Sequence, residues 1–400
     1  MMTQPSQPAT KWSAVWLAIA AGVVAALFVG KVPPALPVLR HELGLSLITA
    51  GWLASLITVL GALGGILVGL LTDRICGPRL LVWGVAILAL GAALGAMSSG
   101  AVELLAARFL EALGLVFTAV SAPSVIIAGT SPADRGMAFG IWGAYLPAGA
   151  GFAMVTTPWI LEAFDWRAVW WVSSGCAAAM ALALMLGLSG RAWPERPGPR
   201  PSRSWSDIRS TLALPGPWLY GLCFAFYAAL YFVIATWIPT FLIETQGRSL
   251  GEAATVGAGV TAINVGGNLL AGWLMHRGEP RWRLMIVAFL AIMGASWFVF
   301  ADGAPDEFRI PAAFFYSLFG GLLPAAALAG APGHARNPAE VSTCNGIVVQ
   351  CSNTGSLVGA PIMAMLVVAL GGWEHGYWMM ICFGAVGIAL ALVLRRIEIR

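Results

Sequence analysis

Three ionisable residues, Lys31, Arg108 and Glu111, sit inside stretches that are otherwise apolar. A single charge at the centre of a bilayer costs about 3 kcal/mol or more on insertion scales, so such residues face a partner or a wet cavity rather than lipid. Arg108 and Glu111 are three residues apart, share one face of a helix and can pair. They read either as a self-neutralised structural pair, or as a cavity-facing Arg108 with Glu111 tuning it or carrying a proton. Lys31, in Gly30-Lys31-Val32-Pro33-Pro34, has no acid within helical reach in its own segment. Its partner lies on another segment, or its ammonium snorkels to the surface. If Lys31 points inward, the interior holds two cations against one anion, which favours a small anionic or electron-rich solute.

Neutral polar groups recur in the apolar stretches as well. Phe224, Tyr227 and Tyr231 share one helical face, with Tyr220 nearby. A buried tyrosine needs a partner for its hydroxyl, so this face is a cavity wall or a helix contact. Tyr145 lies in the glycine-rich run from Gly143 to Gly151, and Asn264, Asn345, Gln350 and Asn353 complete the set. Lys31, Arg108, Tyr145, Tyr227, Tyr231, Asn264, Gln350 and Asn353 are the candidate substrate contacts, and Glu111 is the candidate coupling residue. Enzymatic and ATP-driven chemistry finds no support. There is no GxxxxGK[ST] loop, no GxSxG elbow and no TVGYG filter, and His41-Glu42 lacks the second histidine of a zinc-protease helix. The six cysteines form no CxxC pair and read as small apolar residues, so no metal, cofactor or catalytic residue is expected.

Helices must position these groups. Of 400 residues, 59% are hydrophobic and 10% charged, against roughly 25% charged in a soluble domain. A soluble fold could not cover that much apolar surface. Apolar segments fall near 13–38, 47–71, 80–99, 103–128, 137–161, 168–189, 217–243, 253–275, 284–301, 309–330, 342–370 and 377–394. A span takes about 20 apolar residues, and backbone groups in hydrocarbon are satisfied within the segment only by a helix. The fold class is therefore an all-α polytopic membrane protein with twelve transmembrane helices, the first apolar run being a retained span rather than a cleaved signal. With the N-terminus cytoplasmic, sixteen of the 22 Lys and Arg lie inside, whereas Arg40, Arg167, Arg248 and Arg309 lie outside. That asymmetry places both termini in the cytoplasm of a bacterial-type inner membrane. The net charge of +4 is too small to suggest nucleic acid.

The Pro- and Arg-rich stretch 191–216 reads as an extended cytoplasmic linker between a six-helix bundle over 1–190 and a second over 217–400. The halves resemble each other. At a shift of 203, Gly44 meets Gly247, Ser46 meets Ser249 and Arg74 meets Arg277; at 206, Pro132 meets Pro338, Asp134 meets Glu340 and Gly149 meets Gly355. Parallel repeats suit two bundles that rock about a site between them. Helices three, six, nine and twelve carry no Asp, Glu, Lys, Arg, His, Asn or Gln in their apolar spans and are expected at the periphery.

The connection Gly69-Leu-Leu-Thr-Asp73-Arg74-Ile-Cys-Gly77-Pro-Arg79 resembles the signature between helices two and three of the major facilitator superfamily, with Cys76 where that signature has Gly. Arg108-Phe-Leu-Glu111-Ala-Leu-Gly114 resembles its helix-four motif, and Gly143 to Gly151 its helix-five Gly-Pro motif, with Leu146 in place of Gly. The stretches Gly30–Pro37 and Gly140–Gly149 resemble bacterial permeases related to cyanate permease, whereas helices two and eight lack the Arg pair of the nitrate/nitrite branch. The resemblance covers essentially the whole chain. It implies a monomeric secondary transporter of a small, anionic or polar organic solute, working by alternating access and open to proton coupling. In it Asp73, Arg74 and Arg79 would latch the bundles on the cytoplasmic side. The alternative is a non-transporting membrane sensor or assembly protein on the same scaffold.

Overall fold

The computed structural model describes residues 10–64, 77–188, 205–336 and 340–398. Among them, twelve helices are long and apolar enough to cross a membrane. We number them α1 (Trp12–Glu42), α2 (Leu47–Gly64), α3 (Gly77–Ala96), α4 (Ala101–Gly129), α5 (Arg135–Ala163), α6 (Trp166–Leu188), α7 (Pro215–Gln246), α8 (Leu250–His276), α9 (Arg281–Phe300), α10 (Asp306–His334), α11 (Thr343–Leu370) and α12 (Trp373–Glu398). All regular elements among the described residues are helical.

The repeat seen in the sequence is a repeat of structure. The α1–α2 and α7–α8 turns each place a glycine in the left-handed region, Gly44 at φ 62° and Gly247 at φ 60°. There a Cβ would be strained. Two residues on, Ser46 and Ser249 each cap the next helix by accepting from the third residue along, Thr49 and Glu252. The pair Gly149 and Gly355 also performs one task. A Cβ on Gly149 would overlap the Val23 carbonyl of α1, and one on Gly355 the Ala225 carbonyl of α7. Small residues let backbones approach where lipid supplies no hydrophobic drive, so α5 packs on α1 as α11 packs on α7.

Contacts between the halves come from α1, α2 and α5 on one side and α7, α8 and α11 on the other; the closest crossings are α2 with α11 and α5 with α8. None of the principal contacts between halves involves α3, α6, α9 or α12. Those four carry many of the exposed large apolar side chains, Trp83, Leu90, Leu186, Leu290 and Val386 among them. Charge-free sequence and peripheral position therefore coincide.

Two expectations are corrected or narrowed. The stretch 191–216 is not extended throughout, because Trp205–Leu212 forms a short helix before α7 begins at Pro215. Asp73 and Arg74 lie outside the described residues, and Arg79 is exposed in the first turn of α3.

Candidate substrate and gating site

Lys31 sits at a break. The helix Trp12–Gly30 stops, a new segment Val32–Glu42 starts, and Lys31 is the residue between. Pro33 and Pro34 explain it: neither has an N–H for the preceding turn, and their rings crowd its carbonyls. Helix α2 has its own irregularity, a 3-10 turn at Leu56–Thr58 after Leu47–Ser55. Such a turn moves acceptors from i−4 to i−3 and opens carbonyls at the junction to side-chain donors.

Arg108 of α4 occupies both breaks. Its Nη1 donates to the Phe28 carbonyl at 2.6 Å and its Nε to the Leu53 carbonyl at 3.0 Å, with Nη2 3.5 Å from the Ala54 carbonyl. Nη1 also reaches Glu111 Oε2 at 2.6 Å, while Lys31 Nζ donates to Glu111 Oε1 at 2.8 Å. The Lys31 ammonium lies 4.3 Å from the Phe28 ring centre and 4.6 Å from that of Trp170 in α6, which add cation–π attraction. All three charged side chains are at most 1% exposed. Lys31 is thus buried rather than snorkelling to the surface, and its partner is Glu111. In this conformation, however, neither cation faces an open cavity. Two cations and one anion are sealed inside the first half, both carboxylate oxygens of Glu111 are engaged, and one positive charge is in excess.

The second half carries a neutral network instead. Asn264 Nδ2 donates to the Tyr227 hydroxyl and to the Ser317 carbonyl, both at 2.8 Å, and Asn268 Nδ2 donates to Asn264 Oδ1 at 3.1 Å. Ser317 Oγ donates to the Val260 carbonyl at 2.5 Å, and Tyr231 stacks on Tyr227 at 5.9 Å. Tyr227, Tyr231 and Asn264 are therefore together, across α7 and α8 with α10 behind. The other candidates are apart. Gln350 lines a cleft of about 240 Å³ between α7 and α11, with Trp218, Leu222, Cys351 and Thr354. Asn353 packs against Gly61 of α2 and donates to the Val349 carbonyl. Tyr145 stacks on Trp142 at 4.1 Å beside Gly22 of α1.

Sequence reasoning missed the groups that join the halves. Arg40, in the last turn of α1, forms an ion pair with Glu244 in the last turn of α7. Trp373, at the start of α12, donates Nε1 to the other Glu244 oxygen at 2.8 Å and packs against Trp237 and Phe241. A signal existed: Arg40 and Glu244 precede the matched glycines Gly44 and Gly247 by four and three residues. Further contacts between halves run inward from this end, as far as Asn353 of α11 on Gly61 of α2. A Cβ on Gly51 would stand 3.1 Å from the Ala360 carbonyl, and Thr261 Oγ1 lies 3.5 Å from Met154 Sδ. Among the described residues, Arg40–Glu244 is an ion pair that spans the halves. At the end bearing the termini Asp134, in the α4–α5 turn, accepts from the Thr10 and Ser131 hydroxyls within the first half. Those bonds hold its carboxyl below the usual range.

Known proteins share this architecture. Residues 18–335 match the family model of the Major Facilitator Superfamily. The chain is 25% identical to the cyanate transport protein CynX of Escherichia coli over 67% of its length and 68% of that protein's. It is 27% identical to the probable nitrate/nitrite transporter NarK2 of Mycobacterium tuberculosis over 68% of each chain. A third relative, the 3-(3-hydroxy-phenyl)propionate transporter of Escherichia coli, is 28% identical over 58% of this chain but only 56% of its own length. The crystal structure of a bacterial homologue of the lysosomal transporter Spinster, inward-facing and unoccupied, superposes with a TM-score of 0.81 over 97% of this chain and 98% of that one, at 18% identity. That last likeness speaks to the fold. On the family match, supported by the twelve helices and the paired halves, this chain belongs to the Major Facilitator Superfamily, whose members here are secondary transporters of small solutes.

Proposed function

We propose that the protein moves a small anionic or polar organic solute across the inner membrane by alternating access, as a monomer with both termini in the cytoplasm. In this reading Arg40, Glu244 and Trp373 close the outer face. Asp73, Arg74 and Arg79 would form the opposing latch once the inner face closes.

The observation that carries this reading is the break in α1. The segment Val32–Glu42 bears the gate residue Arg40 at its far end and starts at Lys31, which is held by Glu111. Glu111 is held in turn by Arg108, and Arg108 clasps the backbones of α1 and α2. A change in any of these charges is felt at a hinge whose other end is the gate. An anion entering between the halves meets the field of the excess positive charge, and Tyr227, whose hydroxyl accepts from Asn264, has its own proton to donate opposite. Cyanate, nitrate and an arylpropionate, named for three relatives, are all anions, which supports an anionic solute. If the carrier is proton-linked, Glu111 exchanges its proton when Lys31 swings away with the outer segment.

Counterflow in proteoliposomes tests the reading, with cyanate, nitrate, nitrite and arylpropionates as the panel. Saturable exchange of one anion, lost in Arg108→Gln, is expected. Thermal stabilisation by an anion with no flux in either direction would instead assign a sensor on a transporter scaffold. Uptake unaffected by pH and protonophore would remove the coupling role of Glu111.

A further inference from the structure

A charged corner of the second half plays no part in this cycle. Where α8 turns into α9 and α12 ends, the helix ends carry Arg277, Arg281, Arg283, Arg395 and Arg396 with the acids Glu279 and Glu398. Both acids are taken. Glu279 pairs with Arg283 at 2.8 Å, and Glu398 pairs with Arg281 at 3.7 Å while accepting the Tyr220 hydroxyl. Among the described residues, no carboxylate reaches Arg277, Arg395 or Arg396. Two of these three are held by aromatic rings: Arg277 lies 3.9 Å over Trp273 and Arg395 4.8 Å over Trp282. Beside them, a cleft of about 540 Å³ opens between the ends of α8, α9, α10 and α12, lined by Glu279, Arg281, Trp282, His334 and Glu398 among others.

A guanidinium stacked on an indole keeps the edge of its planar fork free, and that edge matches phosphate oxygens. Tryptophans at the end of a span occupy headgroup depth, and Trp273 is 48% exposed. Topology alone asks only for positive charge. At the same end of the first half, Arg79 and Arg135 are exposed and stack on no ring among the described residues. We infer that this corner binds the phosphate headgroup of an anionic phospholipid from the leaflet that faces the chain termini. The inference needs the protein to be in a bilayer and does not depend on what it transports.

The test is native mass spectrometry of the full-length chain in detergent, titrated with phosphatidylglycerol or phosphatidylcholine of identical acyl chains. The unmodified protein should retain phosphatidylglycerol at least about tenfold better. A basic residue at an anionic surface contributes about fivefold, so Arg277→Gln with Arg395→Gln should lower that retention about twenty-fivefold, whereas Arg135→Gln should not. In the unmodified chain, brominated phosphatidylglycerol should quench tryptophan fluorescence beyond brominated phosphatidylcholine, and raised salt should remove the difference. Equal retention of the two lipids, or a preference that survives the double variant, overturns the proposal. Displacement of phosphatidylglycerol by an equal concentration of glycerol 1-phosphate also overturns it, by reassigning the corner to a soluble phosphate.

Discussion

The buried polar centres of the two halves occupy related places and use opposite chemistry. At the repeat shift of 206, Glu111 of α4 falls on Ser317 of α10. Glu111 binds two cations, whereas Ser317 binds only backbone carbonyl and amide groups. Around Glu111 the helices α1 and α2 are broken and Arg108 fills the breaks; near Ser317 the break lies in α10 itself, at Gly321, which packs close against the Asn264 carbonyl of the unbroken α8. One scaffold thus supports a charged hinge in the first half and a neutral wall in the second. Charge in low dielectric is strong only while complete, because removing one member strands the others. A neutral network degrades gradually.

The sharpest way to break this contrast is to neutralise the equivalent positions. Glu111→Gln leaves two buried cations without a counter-ion and should cost about 3–5 kcal/mol. Ser317→Ala removes one hydroxyl and should cost about 1 kcal/mol. Chemical unfolding in detergent compares them; equal losses would show that the charges are not the keystone of the first half. Lys31→Met sharpens the point, because it removes the excess charge and leaves Arg108 and Glu111 paired. It should destabilise less than Glu111→Gln, while lowering uptake of an anionic solute about tenfold or more. If it proved the more damaging for folding, the excess charge would be structural.

Smaller effects are expected in the neutral wall. Asn264→Ala strands the Tyr227 hydroxyl and should cost about 1–3 kcal/mol, while Tyr227→Phe should cost about 1 kcal/mol. Both should raise the KM for the solute more than they lower the maximal rate. A change in rate alone would place these side chains outside the solute's contacts.

The spans, the repeat and the peripheral helices were legible in the sequence because each follows from a local rule: hydrocarbon length, turn glycines, absence of charge. That Lys31 needed a partner elsewhere was legible too. Which residue it found was not, since the rotation of α4 about its axis decides whether Glu111 meets α1 or lipid. The same ignorance of helix phase grouped Tyr145, Gln350 and Asn353 with Tyr227, although the structure separates them onto Trp142, an α7–α11 cleft and Gly61. Arg40 and Glu244 escaped notice because each looks like an ordinary charge at a span's end. Their meeting depends on how the halves lean together, and no window of sequence contains that.

The gate offers the smallest energetic effect and the most direct view of how the halves communicate. Arg40 and Glu244 are partly solvated, with 27% and 38% of their side chains exposed, and such pairs contribute only about 0.2–1 kcal/mol. Arg40→Ala should therefore leave unfolding nearly unchanged. It should still move the balance between outward- and inward-open states by up to about fivefold, because the stabilisation is present in one state and absent from the other. Spin labels at Thr49 of α2 and Ser356 of α11 can report that balance as a distance distribution. Exchanging the two charges, Arg40→Glu with Glu244→Arg, should restore it, apart from the bond that Trp373 donates to Glu244. If Arg40→Ala left the distribution unmoved while Glu111→Gln shifted it, closure would reside in the α2–α11 and α5–α8 crossings. The charged centre would then act on those crossings directly, without the outer segment of α1.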